Sequence, residues 1–126
     1  MSAPDDRRYS ESHEWFKAEG ETVTVGITRF AVDQLTDVTF AEMKGTGTEV
    51  SAGDPVGEIE SVKTTSDVYS AVDGEIVEVN GELDENPGVI NEDPYEKGWL
   101  VKIKASDTSG LEKLMDAETY NKEHES

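Results

Sequence analysis

One lysine in this chain stands where its amine could do chemistry. Lys63 closes an alternating apolar stretch, Val56 to Val62, and is followed by Thr64-Thr65-Ser66-Asp67 before the alternation resumes at Val68. Two β segments joined by small hydroxyl residues predict a tight, exposed hairpin tip around Lys63 and Thr64-Thr65-Ser66, with the hydroxyls satisfying turn backbone groups. Such a tip holds an amine in solvent on a stiff support. A lysine acting as its own nucleophile must lose its proton, which burial or a neighbouring cation favours. The charges close to Lys63 are Glu58, Glu60 and Asp67. All three favour the ammonium. The residue therefore suits acylation by a separate enzyme that supplies both activation and base. The plain alternative is a surface lysine paired with Glu60 or Asp67. A small lysine-dependent β enzyme is a third reading, weakened by the acidic flanks and the missing proton-shuttling histidine.

Other chemistry finds little support. His13 and His124 are the only histidines and lie in different regions, and there is no cysteine, so a metal centre, a triad, a thiol nucleophile and a disulfide framework are all set aside. Asp84-Glu85 and Glu92-Asp93 lack the spacing of a calcium loop, and Gly45-Thr46-Gly47 lacks the rest of a nucleotide fingerprint.

The elements that must hold Lys63 in place are short strands. Alternation of period two appears at Val23 to Ile27, Val38 to Phe40, Val56 to Val62, Val68 to Val72, Glu75 to Val79 and Leu100 to Lys104. Turn chemistry separates them at Gly45-Thr46-Gly47, Ala52-Gly53-Asp54-Pro55, Asp73-Gly74 and Asn86-Pro87-Gly88. This pattern predicts a mainly β sandwich or barrel. Thr28 to Leu35 predicts one short inserted helix, capped by Thr28, with Phe30, Ala31, Gln34 and Leu35 on its packed side. Past the last strand, a capping box at Ser109 to Glu112 and a cap at Asp116 predict a helical tail to about His124. The expected layout is one domain over residues 1–126, with a core at about 9–105 and the tail at about 107–124. Trp15, Phe40 and Trp99 are expected as core or edge aromatics.

The 126 residues carry a net charge of −18, from 29 acidic and 11 basic side chains. That surplus repels nucleic acid and anionic membrane surfaces. The longest apolar runs, Phe30 to Val32 and Trp99 to Val101, are far too short for a membrane span or a secretory signal. The expectation is a cytoplasmic monomer. Self-repulsion of so many carboxylates is relieved by screening, so the composition also suggests a salt-adapted prokaryotic host.

Several separated blocks then carry a resemblance. Glu60-Ser61-Val62-Lys63-Thr64-Thr65-Ser66-Asp67-Val68-Tyr69-Ser70 and Gly74-Glu75-Ile76-Val77-Glu78-Val79-Asn80 resemble the lipoyl-attachment segment of the glycine cleavage H proteins. Tyr9 to Trp15 resembles that family's opening, and Thr24 to Thr28 its first long strand and helix entry. Asn86-Pro87, Asn91 to Tyr95 and Gly98 to Leu100 resemble the approach to its last strand. The Ser-Val-Lys centre differs from the Asp-Lys-Ala of lipoyl domains in 2-oxo acid dehydrogenases and from the Met-Lys-Met of biotin carriers. Ala71 stands where the family often has proline.

The resemblance implies a barrel-sandwich hybrid, a flattened lipoyl-domain-like β-barrel, with lipoic acid in amide linkage to Lys63. It implies a non-catalytic carrier that takes the aminomethyl group of glycine from a pyridoxal-phosphate glycine decarboxylase to a tetrahydrofolate-dependent aminomethyltransferase. Electrons would pass to an FAD-containing dihydrolipoyl dehydrogenase, and a lipoate ligase or lipoyl transferase would attach the arm. It further implies Glu14 as a carboxylate for the loaded arm's ammonium, with Ser12 and Asp67 as hydrogen-bonding neighbours. The alternative within the same chemistry is a lipoyl donor to 2-oxo acid dehydrogenase complexes.

Overall fold

The computed structural model describes residues 6–107 and 109–123. Nine strands and four helices follow one another as β1 (Arg8–Tyr9), β2 (Glu14–Glu19), β3 (Thr22–Ile27), α1 (Arg29–Leu35), β4 (Val38–Met43), β5 (Glu49–Val50), β6 (Pro55–Ser61), β7 (Thr65–Tyr69), β8 (Asp73–Val79), α2 (Glu82–Glu85), α3 (Val89–Glu92), β9 (Val101–Asp107) and α4 (Ala117–Glu123), with a 3-10 turn at Ser109–Lys113 before α4. The strands form a six-stranded sheet in the order β1-β2-β3-β9-β8-β5 and a three-stranded sheet in the order β4-β6-β7. All pairings are antiparallel.

The main core draws on both sheets. Val23, Val25 and Ile27 of β3, Ile76 of β8 and Ile103 of β9 join Val56 and Ile59 of β6 and Val68 of β7 in one buried cluster. Alternation along β2 explains a second, smaller core. Phe16 faces the main cluster, while its neighbour Trp15 joins Tyr9, Ala117 and Tyr120 on the other side. Trp15 packs across its cross-strand partner Gly26, where a Cβ would come within 2.4 Å of the indole ring. Glycine is required there because the indole occupies the space of any side chain. Arg7 closes this core, its guanidinium lying 4.6 Å from the Trp15 ring centroid and donating to Asp6 at 2.7 Å and to the Tyr95 carbonyl at 2.8 Å.

The strand pattern and the inserted helix of the sequence reading are present, with four corrections. The strand expected at Val68 to Val72 runs instead over Thr65–Tyr69 and ends before Ser70. The lysine turn is tighter than expected. Its tip is Val62-Lys63-Thr64, and Thr65, Ser66 and Asp67 already pair with Glu60, Ile59 and Glu58. Backbone pairing takes them because Ser61, through its hydroxyl and its backbone N–H, already closes the turn. The packed side of α1 is rotated as well: Val32 and Leu35 are buried, whereas Gln34 is exposed. The segment at Ser109 to Lys113 is a 3-10 turn instead of an α-helix. Asp116 does cap α4, accepting the Thr119 N–H at 2.9 Å. The expected end near His124 lies outside the described residues.

Candidate functional site

Lys63 stands at the tip of the β6–β7 hairpin. The Ser61 side-chain oxygen accepts the backbone N–H groups of Lys63 at 3.2 Å and Thr64 at 3.1 Å, and the Ser61 N–H donates to the Thr64 carbonyl at 2.8 Å. The Val62 N–H donates to the Asp37 carbonyl at 3.0 Å, which ties the tip to the start of β4. That start is itself braced. The Asn91 side chain accepts the Val38 N–H at 2.8 Å and donates to the Thr36 carbonyl at 2.6 Å. Lys63 is exposed, and among the described residues no carboxylate lies within ion-pair distance of it. The surface pairing with Glu60 or Asp67 does not form.

Below the tip is a cleft of about 490 Å³. Lys63 to Val68 make one wall, Ala31, Gln34 and Leu35 of α1 a second, and Ser12, His13 and Glu14 a third, with Ile27 and Ile59 contributing apolar surface. All four residues singled out in the sequence, Lys63, Glu14, Ser12 and Asp67, meet in this cleft.

Glu14 is 1% exposed. One of its oxygens accepts the hydroxyls of Ser10 and Ser12, each at 2.5 Å, and the other accepts the Tyr69 N–H at 3.0 Å. Burial pushes its carboxyl above the ordinary value of 4.5, while the Ser10 and Ser12 hydroxyls and the Tyr69 amide pull the other way. Among the described residues no cation lies within ion-pair distance of it. A buried carboxylate held only by neutral donors has strong residual affinity for a cationic group that can reach it. Asp67 stands on the opposite wall and accepts the Tyr69 hydroxyl at 3.3 Å. Its charge raises the titration of the Tyr69 phenol.

Two contributors were not legible as such. Ser10 shares Glu14 with Ser12, although only Ser12 was singled out. Tyr69 links Glu14 through its backbone and Asp67 through its ring. The period-two spacing of Asp67 and Tyr69, which puts both on one strand face, is the signal that could have found it.

The cleft is lined by Ile27, Ala31, Leu35, Ile59 and Val68 together with the Glu14 carboxylate. The fold and site together define a lipoyl-domain-like carrier, with a lysine held on a hairpin beside a partly apolar cleft.

The comparisons agree. The family model described as glycine cleavage H-protein matches residues 7–126. The chain is 51% identical over 120 residues to a glycine cleavage system H protein of Bacillus pumilus, covering 95% of this chain and 94% of that one. It is 50% identical over 117 residues to the one from Halalkalibacterium halodurans, covering 93% and 91%. The crystal structure of a glycine cleavage system H protein from Mycobacterium marinum superimposes with a TM-score of 0.87 at 38% identity, covering 96% of this chain and 98% of that one. The chain belongs to the glycine cleavage H-protein family.

Proposed function

We propose that Lys63 carries lipoic acid in amide linkage, and that Glu14, Ser12 and Asp67 form the cleft that receives the aminomethyl end of the arm. As a member of its family, the chain is a carrier component of the glycine cleavage system and not itself an enzyme. The lipoyl group supplies the dithiolane that accepts the aminomethyl unit and two electrons. Everything else falls to the chain's own side chains. The hairpin presents Lys63 to the attaching ligase or transferase. The amide that replaces the ammonium is neutral, which frees the position from the attraction of Glu58, Glu60 and Asp67. The Glu14 carboxylate pairs with an ammonium brought into the cleft, and the apolar walls keep water from the carbon beside it.

What supports this reading best is one pairing: an exposed lysine and a buried carboxylate, neither with an ionic partner among the described residues, line the same cleft. Glycine decarboxylase, the aminomethyltransferase, dihydrolipoyl dehydrogenase and the attaching enzyme are the proposed partners, met in turn by a monomer. The whole chain, 1–126, acts as one carrier domain in the cytoplasm. Its acidic surplus supports a salt-rich cytosol. Unfolding in urea at low and molar potassium chloride tests that last element: the midpoint is expected to rise with salt, and an unchanged midpoint refutes it.

The central test uses protein from its own host. Intact mass is expected to show one lipoyl addition, mapped to Lys63. In a reconstituted system, Lys63→Arg is expected to abolish glycine turnover, and turnover by that variant would overturn the reading. Bicarbonate exchange with the decarboxylase then separates carriage in glycine cleavage from lipoyl donation to 2-oxo acid complexes.

A further inference from the structure

Four asparagines occur in the chain, and only Asn80 is followed by glycine. That pair has a chemistry of its own. The backbone nitrogen after an asparagine can attack the side-chain carbonyl carbon, and a glycine leaves that nitrogen uncrowded. In the fold, Asn80 lies between the end of β8 and the start of α2 and is 7% exposed. Its side-chain nitrogen donates to the Lys97 carbonyl and to the Trp99 carbonyl, each at 2.8 Å. Its Oδ1 accepts the Glu82 N–H at 3.1 Å. On the backbone, its N–H donates to the Leu100 carbonyl at 3.1 Å, and its carbonyl accepts the Leu83 N–H at 3.3 Å. Both amide hydrogens are thus committed, and the carboxamide is fastened to the segment before β9 and to the first turn of α2.

Ring closure requires the carboxamide to swing onto the Gly81 nitrogen and its NH2 group to leave as ammonia. Either movement first breaks the bonds to the Lys97 and Trp99 carbonyls. The reaction is therefore closed while the junction stands and opens when the junction comes apart. Its balance is simple. The bond from the Gly81 nitrogen to Asn80 Cγ forms, that nitrogen loses its proton, and the Cγ–Nδ2 bond breaks with release of ammonia. Water then opens the cyclic imide at one carbonyl or the other, giving aspartate or isoaspartate at position 80. Neither product rebuilds the junction. An ionised carboxylate has no proton for the Lys97 and Trp99 carbonyls and would face two acceptor oxygens at a nearly buried position. Isoaspartate adds a methylene to the main chain between β8 and α2.

We propose that Asn80–Gly81 is a latent deamidation site, locked by the Lys97 and Trp99 carbonyls while the chain is folded and released by unfolding, so that time spent unfolded erases the ability to refold. The test holds the full chain at mildly alkaline pH, folded in buffer or unfolded in guanidinium chloride. Peptide mapping by mass is expected to show a gain of one dalton at Asn80 in the unfolded sample. In the folded sample the gain is expected to be at least about a hundredfold slower, because reaction through an opened state scales with that state's population. Gly81→Ala is the control. Gly81 has φ of −66°, and a Cβ there would meet no atom within 4 Å, so alanine fits the fold while crowding the attacking nitrogen. This variant is expected to slow the unfolded reaction severalfold. Equal rates in folded and unfolded wild type overturn the lock, and equal rates in unfolded wild type and Gly81→Ala overturn the site. On dilution from denaturant, aged wild type is expected to lose refolded protein in step with its modified fraction, whereas equally aged Gly81→Ala refolds. A modified fraction that regains the wild-type unfolding midpoint overturns the loss. Asn80→Asp isolates one product: its midpoint is expected to fall at neutral pH and to recover in part in acid, where the protonated carboxyl regains a donor. A midpoint unmoved at neutral pH overturns the claim that a carboxylate cannot replace the amide.

Discussion

Arg7 and Glu14 are both charged and both buried, at 6% and 1% exposure, yet the fold treats them in opposite ways. Arg7 is compensated on every side by the Asp6 carboxylate, the Tyr95 carbonyl and the faces of Trp15 and Tyr95. Its neighbour Asp6 titrates low chiefly because of the hydrogen bond from Arg7. Glu14 receives hydrogen bonds but, among the described residues, no opposite charge, and burial is the chief cause that raises its carboxyl's titration. Arg7 stabilises the second core. Glu14 costs stability when ionised.

The contrast can be broken from the Arg7 side first. Arg7→Ala removes a guanidinium that both covers Trp15 and satisfies the Tyr95 carbonyl. Loss of a buried charge network of this kind is expected to cost about 3 kcal/mol in urea unfolding, with Asp6, half exposed, adding little of it. Next comes Gly26→Ala, whose new Cβ would lie within 2.4 Å of the indole and so push Trp15 off its strand. Overpacking of this kind is expected to cost about 2 kcal/mol, with a shift in tryptophan fluorescence.

The Glu14 side carries the opposite sign. Glu14→Gln keeps an acceptor for the Tyr69 N–H and lets the two serine hydroxyls turn to accept its amide. Because folding raises the carboxyl's titration point, the wild type is least penalised in acid. It loses stability as pH rises from the ordinary value of 4.5 through the raised one. The variant is expected to match the wild type below that range and to exceed it by about 1 kcal/mol at neutral pH, as read by denaturation from pH 4 to 8. A variant weaker than the wild type at neutral pH would refute the claim that Glu14 is uncompensated. The smallest effect belongs to Ser12→Ala. It removes one of two hydroxyls on the same oxygen, so the Glu14 titration is expected to move further up by carboxyl NMR, with about 0.5 kcal/mol lost at neutral pH and none in acid.

What the sequence disclosed follows from how local each signal is. Strands such as Thr22–Ile27 and Asp73–Val79 were readable because each alternates against a defined core, and Thr28 was readable as a cap because capping is a matter of neighbouring residues. The tip of the lysine hairpin was misjudged because composition cannot tell a hydroxyl in a turn from one already in the ladder. At the site, Lys63 was marked by its setting, and Ser12, Glu14 and Asp67 came only from resemblance. Glu14 accepts a hydrogen bond from a strand 55 residues away, which no local pattern reports. Tyr69 was hidden for the same reason, whereas Ser10 lies only four residues from Glu14.

The tie between the Val62 amide and the Asp37 carbonyl has a further consequence. A base tied to the neighbouring strand resists leaning, so in the proposed role each partner would meet the same silhouette around the lysine. If Lys63 carries the proposed arm, reach is a property of the arm and recognition a property of the scaffold. Lengthening or loosening the turn should therefore harm docking with every partner alike, long before it alters how far the arm can travel.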